Sequence, residues 1–283
     1  MSALQERPVA RTGAGDPPVR PGRQRRAPSG AAIAGSASRA GVFLLSVLTG
    51  LVVWELVARH FGPSLVASPR ETWDGAVQLV RDGMIWEAIG ASTYRIMVGW
   101  ALGLAVGAPL GLLMGRVRLI RMFFEPYIEF FRFIPPIAFV TLAVIWFGLG
   151  DTSKIVLIFY TSVFIVTINT MSGAIATDEN KLRAASSLGA NRLQVLTSVV
   201  LPSTVPYIVT GARLAMGNSF LTIVAAEMVG AEHGLGALIW TSRNFGRIDW
   251  TFVAIILLGV LGFTIDRLLR LVTRPLARYK VKF

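Results

Sequence analysis

Asp178–Pro206, DENKLRAASSLGANRLQVLTSVVLPSTVP, is the long polar interval between strongly apolar segments in the middle of a 283-residue chain. Its pattern is that of two short helices joined at a glycine. Asp178 is an acceptable N-cap before a run of good helix formers. Gly189 falls where the first helix ends, because glycine takes the left-handed C′ conformation at little cost. Asn191, followed three residues later by Gln194, reads as the start of a second helix. Pro202 and Pro206 stop that helix or set up the next one. Ala184 and Ala185 lie on the exposed edge of the first helix. The stretch is therefore predicted to form a compact knob that a partner can grip.

The rest of the chain says where the knob sits. Hydrophobic residues are 53% of the whole, mean hydropathy is +0.60, and charged residues are only 16%, against roughly 25% in soluble domains. The segments Ile96–Gly115, Phe133–Gly150 and Ile155–Thr177 carry no charged side chain. A bilayer-spanning helix needs about 20 mostly apolar residues, and a soluble helix keeps a charged face. These segments are read as membrane spans, and the lipid bilayer as the chain's solvent.

The net charge of +12 does not point to nucleic acid, because it is concentrated at the ends. Residues 1–40 hold seven arginines against Glu6 and Asp16, and residues 267–283 hold six Lys/Arg and no acid. Basic residues flanking spans mark the cytoplasmic side. There is no cysteine, which excludes disulfides, thiol catalysis and Cys-ligated metal. Two histidines, His60 and His233, make a histidine metal cluster a poor reading, and no cofactor is expected.

Six spans are predicted. Residues 1–39, rich in Arg, Pro, Gly, Ala and Ser, read as a disordered basic tail; the runner-up, a cleaved leader, lacks a short n-region and a small-residue cleavage site. Ala40–Ala58 is the first span. His60–Gly90 is an outer loop with an amphipathic piece over Glu71–Asp82, and Trp73 and Trp86 suit an interfacial belt. The second span, about Ala88–Met114, carries a glycine ladder: Gly99, Gly103, Gly107, Gly111 and Gly115. Small residues four apart let another helix approach closely in lipid, within the chain or in a second copy. The third span, about Pro126–Phe147, holds Pro135 and Pro136, which break its hydrogen bonding beside a cavity or simply kink it. Lys154–Ala176, Pro206–Val229 and Trp250–Leu271 complete the set, and 273–283 is a second basic tail. The transmembrane domain thus covers 40–272, with the knob at about 178–202.

Topology follows from charge. Twenty Lys/Arg fall on the side of the tails and the knob, six fall opposite, and Arg95 and Arg213 lie within the membrane. This bias puts both termini and the knob in the cytoplasm. Arg95 and Arg213 are candidates for attracting an anionic solute, or alternatively pair with acids or snorkel. Glu227 lies 14 residues from Arg213, about 21 Å along one helix, so the two cannot pair within it. Glu227 is assigned instead to an outer gate with the Gly234-Leu235-Gly236 segment. Asn169 and Asn218 are candidates to line a pathway, or to bond between helices. Gly148–Lys154 lacks the spacing of a phosphate-binding loop. No nucleophile–base set or metal cluster argues for an enzyme.

Arg183-Ala184-Ala185, three residues, Gly189, nine residues, then Val199-x-Leu201-Pro202 resembles the "EAA" signature of permease subunits of bacterial ABC importers. The departures are Arg183, where the family has an acid, and Val199 for isoleucine. Further pieces resemble the nitrate/sulfonate/taurine branch of these permeases, most of all its aliphatic sulfonate members. They are Ser92-Thr-Tyr-Arg95 with Gly99, Arg132-Phe-Ile-Pro135-Pro136-Ile-Ala138, Trp146-Phe-Gly148-Leu-Gly150, Gly211-Ala-Arg213, and Ala226-Glu227-Met228 with Gly234-Leu-Gly236. The resemblance covers about Leu65–Leu271.

It implies an all-α, six-helix membrane protein of the type I ABC importer permease fold, multi-pass in the bacterial cytoplasmic (inner) membrane. It implies a second copy of the same permease, two separate ATP-binding-cassette ATPase subunits, and an extracytoplasmic substrate-binding protein as partners. The chain itself is then not an enzyme. Arg183, Ala184, Ala185, Leu188, Gly189, Leu201 and Pro202 are its expected ATPase-coupling residues. Arg95, Pro135, Pro136, Asn169, Arg213, Asn218 and Glu227 are its expected pathway or gate residues. The solute is expected to be a sulfonate-, taurine- or nitrate-like anion. The alternatives are an uncharged or cationic vitamin precursor, or a stand-alone secondary transporter, which leaves the knob unexplained; the absence of an internal repeat also counts against that last class.

Overall fold

The computed structural model describes residues 30–277, all of whose regular elements are helical. It divides into two units, residues 1–50 and 51–283. In the first, the described residues belong to helix α1 (Gly30–Phe61), and the side chains from Gly41 to Gly50 are exposed. Helix α1 begins at Gly30, ten residues before the expected first span at Ala40. Residues 1–29 of the expected N-terminal tail, and 278–283 of the C-terminal one, lie outside the described residues.

The second unit is built from α2 (Pro69–Arg81), α3 (Met84–Arg116), α4 (Arg118–Phe131), α5 (Val140–Phe147), α6 (Asp151–Ile175), α7 (Glu179–Ser187), α8 (Arg192–Val195), α9 (Leu201–Met228), α10 (Leu235–Asn244) and α11 (Ile248–Ala277). Five helical segments among the described residues are long and apolar enough to cross a membrane: 41–61, 84–116, 151–175, 192–228 and 248–275. The pair Arg118–Phe131 and Pro136–Phe147 makes a sixth span if counted as one, bent by 87°. The helical pair at the place of the expected third span thus starts eight residues earlier than Pro126 and is sharply bent. Pro135 and Pro136 remove two donors and the chain turns there, restarting as a short 3₁₀ turn over Pro136–Phe139.

The break needs its carbonyls satisfied if it lies in lipid. Tyr160 on α6 supplies this: its hydroxyl donates to the carbonyls of Phe131, at 2.5 Å, and Ile134, at 3.3 Å. At the preceding corner, Arg121 performs a similar service for the end of α3. Its guanidinium donates to the carbonyls of Met114 at 2.9 Å and Gly115 at 3.1 Å, two of the acceptors a helix C-terminus leaves free.

The centre of this unit is α6, which packs against α3 on one side and α9 on the other. The glycine ladder of α3 faces α6 along its length. A methyl group at Gly111 would sit 2.5 Å from the Thr167 carbonyl oxygen and 2.7 Å from the Thr170 Cβ. At Gly103 it would overlap the Ser162 side chain. The ladder therefore serves packing within the chain. Ile96, Ile158, Met216 and Ile223 fill the space where α3, α6 and α9 meet. Leu79, Ile85, Leu235, Leu238 and Val253 bind α2, α3, α10 and α11 together at one end.

Gly111→Val should therefore lower stability by about 3 kcal/mol, the upper range for overpacking a close contact. Gly259→Val, where nothing lies within 4 Å, should leave it within about 0.5 kcal/mol. Thermal or denaturant unfolding of the two purified variants in detergent reads the difference.

Candidate functional site

Three groups of residues stand apart from ordinary packing. The first is the knob. α7 begins at Asp178, whose side chain accepts from the Asn180 N–H at 2.8 Å. It closes at Leu188, and Gly189 follows at φ +81°, a conformation glycine adopts without steric cost. α8 opens with a reciprocal capping box: the Asn191 side chain accepts from the Gln194 N–H at 2.9 Å, and the Gln194 side chain accepts from the Asn191 N–H at 2.8 Å. Leu188, at the corner, is 88% exposed. A leucine presented on a polar, capped turn is the kind of apolar feature that an interaction surface supplies. Arg183 pairs with Glu179 one turn back at 2.8 Å, and both side chains are exposed, so this pair contributes only about 0.3–0.5 kcal/mol.

A π turn over Leu196–Val200 carries the knob into α9. The Leu201 N–H donates to the Leu196 carbonyl, five residues back. Pro202 explains the widened turn: it has no N–H for the usual bond, and its ring crowds the carbonyl four residues before it. Leu201 and Pro202 thus form the joint between knob and span.

The second group lines a cavity of about 770 Å³ between the broken third span, α6 and α9. Pro135 and Pro136 form one wall, Tyr160 and Asn169 of α6 another, and Asn218 and Thr222 of α9 the third. Thr161 and Thr222 join α6 to α9 through their hydroxyls at 3.1 Å. Each asparagine amide donates one turn back along its own helix, Asn169 to the Ile165 carbonyl and Asn218 to the Leu214 carbonyl. Among the described residues, the side-chain hydrogen bonds of both asparagines stay within their own helices.

The third group is a buried ion cluster. Arg95 of α3, 6% exposed, donates to Asp151 at the start of α6 and to Glu227 near the end of α9, each at 2.7 Å. It also donates to the His233 carbonyl at 2.6 Å. Glu227, 1% exposed, accepts in addition from the Ser92 hydroxyl at 2.9 and 2.8 Å and from the Gly236 N–H at 2.9 Å. A side chain at Gly234 would run into the Glu227 carboxylate. Nearby Lys154, 1% exposed, gives its ammonium group to the carbonyls of Leu149 and Gly230. The cluster joins the starts of α3 and α6 to the end of α9 and to the loop entering α10.

Residues 107–278 match the family described as "Binding-protein-dependent transport system inner membrane component". A probable ABC transporter permease protein of Brucella abortus (strain 2308) is 34% identical over 85% of this chain and 96% of its own length. The chain belongs to that family. The taurine transport system permease protein TauC of Escherichia coli (strain K12) is 34% identical over 80% of this permease and 85% of its own length. The putative aliphatic sulfonates transport permease protein SsuC of Bacillus subtilis (strain 168) is 32% identical over 72% and 74%. The permease also shares its fold with a chain of the MetNI methionine ABC transporter in an inward-facing form, with a TM-score of 0.62 at 19% identity, covering 69% of this chain and 97% of that one. It is a multi-pass ABC importer permease of the nitrate/sulfonate/taurine branch, a membrane component and not the catalytic subunit.

Within this permease, the seven residues expected along a pathway or gate separate into three places. Pro135, Pro136, Asn169 and Asn218 line the cavity. Arg95 and Glu227 are buried together in the ion cluster. Arg213 lies elsewhere, with both its Nε and Nη2 on one Asp266 oxygen at 3.0 and 2.9 Å, and Arg270 on the other oxygen at 3.3 Å. Neither Arg95 nor Arg213 lines the cavity. Each has acids from other helices as partners, and the sequence did not show which acids, because Asp151 and Asp266 are 56 and 53 positions away. Ser92 stands in the Ser92-Thr-Tyr-Arg95 piece without a role of its own in the sequence reading; Asp151 and Tyr160 have none either, and the polarity of Tyr160 within an apolar run is the one signal for it.

Removing one partner of a buried pair leaves an uncompensated charge, at a cost of about 3–5 kcal/mol. Glu227→Met leaves Arg95 with Asp151 and strands the Ser92 hydroxyl and the Gly236 N–H, so it should destabilise the folded permease at the lower end of that range, by about 3 kcal/mol. The double variant Arg95→Met/Glu227→Met should recover part of the loss, and Asp151→Asn, at a half-exposed position, should cost less than either single core change. A double-mutant cycle on unfolding midpoints reads the order.

Proposed function

We propose that two copies of this permease form the translocation pathway of an ATP-driven importer in the bacterial inner membrane. Each copy docks one ATPase subunit through the knob. An extracytoplasmic binding protein delivers the solute, a small anion of the sulfonate, taurine or nitrate kind. The six-helix domain spans 40–272, and both basic tails, 1–39 and 273–283, lie in the cytoplasm with the knob.

The observation that carries this reading is the knob's corner. Leu188 is presented to solvent on a turn that Gly189 alone permits, with Ala184 exposed and Ala185 half-buried beside it. Small residues around one exposed leucine suit a ball entering a socket. Arg183 supports the same docking, since its weak tie to Glu179 leaves the guanidinium available to an acid on the ATPase. Force applied at the knob reaches α9 through Leu201 and Pro202. ATP closes two ATPases only in one arrangement, and binding energy that differs between two states shifts the spans from inward-open to outward-open.

Gly189→Val forces a β-branched residue to a positive φ, which is strained. The variant should insert in the membrane yet lose co-purification with the cognate ATPase at least tenfold; wild-type recovery of the complex would remove the docking role. The chain contains no cysteine, so Ser187→Cys provides a single label at an exposed position. A membrane-impermeant maleimide should reach it in inside-out vesicles and not in intact spheroplasts.

A further inference from the structure

The cavity carries a charge that neither the pathway arginines nor their partners explain. Besides its prolines, aromatics and amides, it is lined by Arg132, at the end of α4. Among the described residues, no aspartate, glutamate or second cation lines it. Arg132 has no ion pair among those formed by the described residues; its recorded side-chain contact is the Phe133 ring, 4.8 Å from the guanidinium carbon to the centroid. The contrast with Arg95 and Arg213 is direct. Arg95 has Asp151 and Glu227, and Arg213 has Asp266.

We infer that Arg132 is the residue by which this permease selects an anionic solute, with Asn169, Asn218 and Thr222 completing a polar lining for it. The inference rests on the pathway reading proposed above, anionic solute included, and adds the group that recognises the solute's charge. A cavity with one sign of charge and low-dielectric walls concentrates ions of the opposite sign. A guanidinium offers several N–H donors in one plane, a match for the oxygens of a sulfonate, carboxylate or nitrate. Its position is also held: the carbonyls on either side of it, of Phe131 and Ile134, both accept from the Tyr160 hydroxyl. The bend at Pro135-Pro136 therefore has a second consequence, which is to keep residue 132 at the wall of the cavity.

The test uses the whole transporter, permease with its cognate ATPase and binding protein, in proteoliposomes. Uptake is measured for isethionate, taurine and nitrate, and for thiamine as a cationic probe. Assembly with the ATPase is measured separately, so that loss of assembly in the wild type marks failure of the importer reading and not of the charge assignment. The assembled wild type should take up at least one of the anionic or zwitterionic oxyanion probes and not thiamine. Arg132→Gln should assemble normally and lose that uptake at least tenfold, while Arg132→Lys, which keeps the charge, should stay within threefold of wild type. Wild-type uptake by Arg132→Gln would overturn the inference, as would equal loss in the assembled Lys and Gln variants. Uptake of thiamine alone by the wild type, or of none of the oxyanion probes by an assembled complex, would overturn it too.

Discussion

Helices in lipid gain nothing from the hydrophobic effect when they meet, because the tails they leave are as apolar as the side chains they join. Association must come from close backbone approach and from polar groups that find each other. In this permease both meet on α6. One face takes the glycines of α3 at distances where a methyl group at Gly111 would lie 2.5 Å from a carbonyl oxygen. The other takes α9, through Ser162 with Ser219 at 3.2 Å and Thr161 with Thr222 at 3.1 Å. The bent third helical pair and the knob are attached to that three-helix centre.

The same economy explains how charge is distributed. A buried cation in a membrane is costly, and the chain places an acid from another helix against each of two arginines, the buried Arg95 and the partly exposed Arg213. Arg95 joins α3, α6 and α9 through Asp151 and Glu227, and Arg213 joins α9 to α11 through Asp266. These are connections between helices. Being neutralised, they leave the cavity's electrostatics to Arg132, which no carboxylate among the described residues pairs with. The location of the ion cluster, at the end of α9 where Gly234 and Gly236 close over Glu227, suits a fastening between helix ends.

The knob obeys a different constraint, that of a small polar unit with little core. Its shape is held by local devices: the Asp178 cap, the Asn191–Gln194 capping box and a glycine at φ +81°. Each acts over three or four residues, so the unit keeps its form while Leu188, at its corner, stays outward.

Local devices are what a sequence displays. The helix ends of the knob, the six apolar segments, the glycine spacing of four and the proline pair were all legible, because each depends on neighbours within a turn or two or on transfer of a whole segment into lipid. The family signature was legible for the same reason, being a spacing within 20 residues. Span boundaries shifted, with the third span beginning at Arg118 and bent by 87°, since a bend depends on what the helix then packs against. The pairing of charges was not legible at all. Arg95 with Glu227 spans 132 positions, and Arg213 with Asp266 spans 53. Only the tertiary structure decides which acid reaches which arginine, and thus which arginine is left to face the cavity, because that choice is made by distance in space and not along the chain.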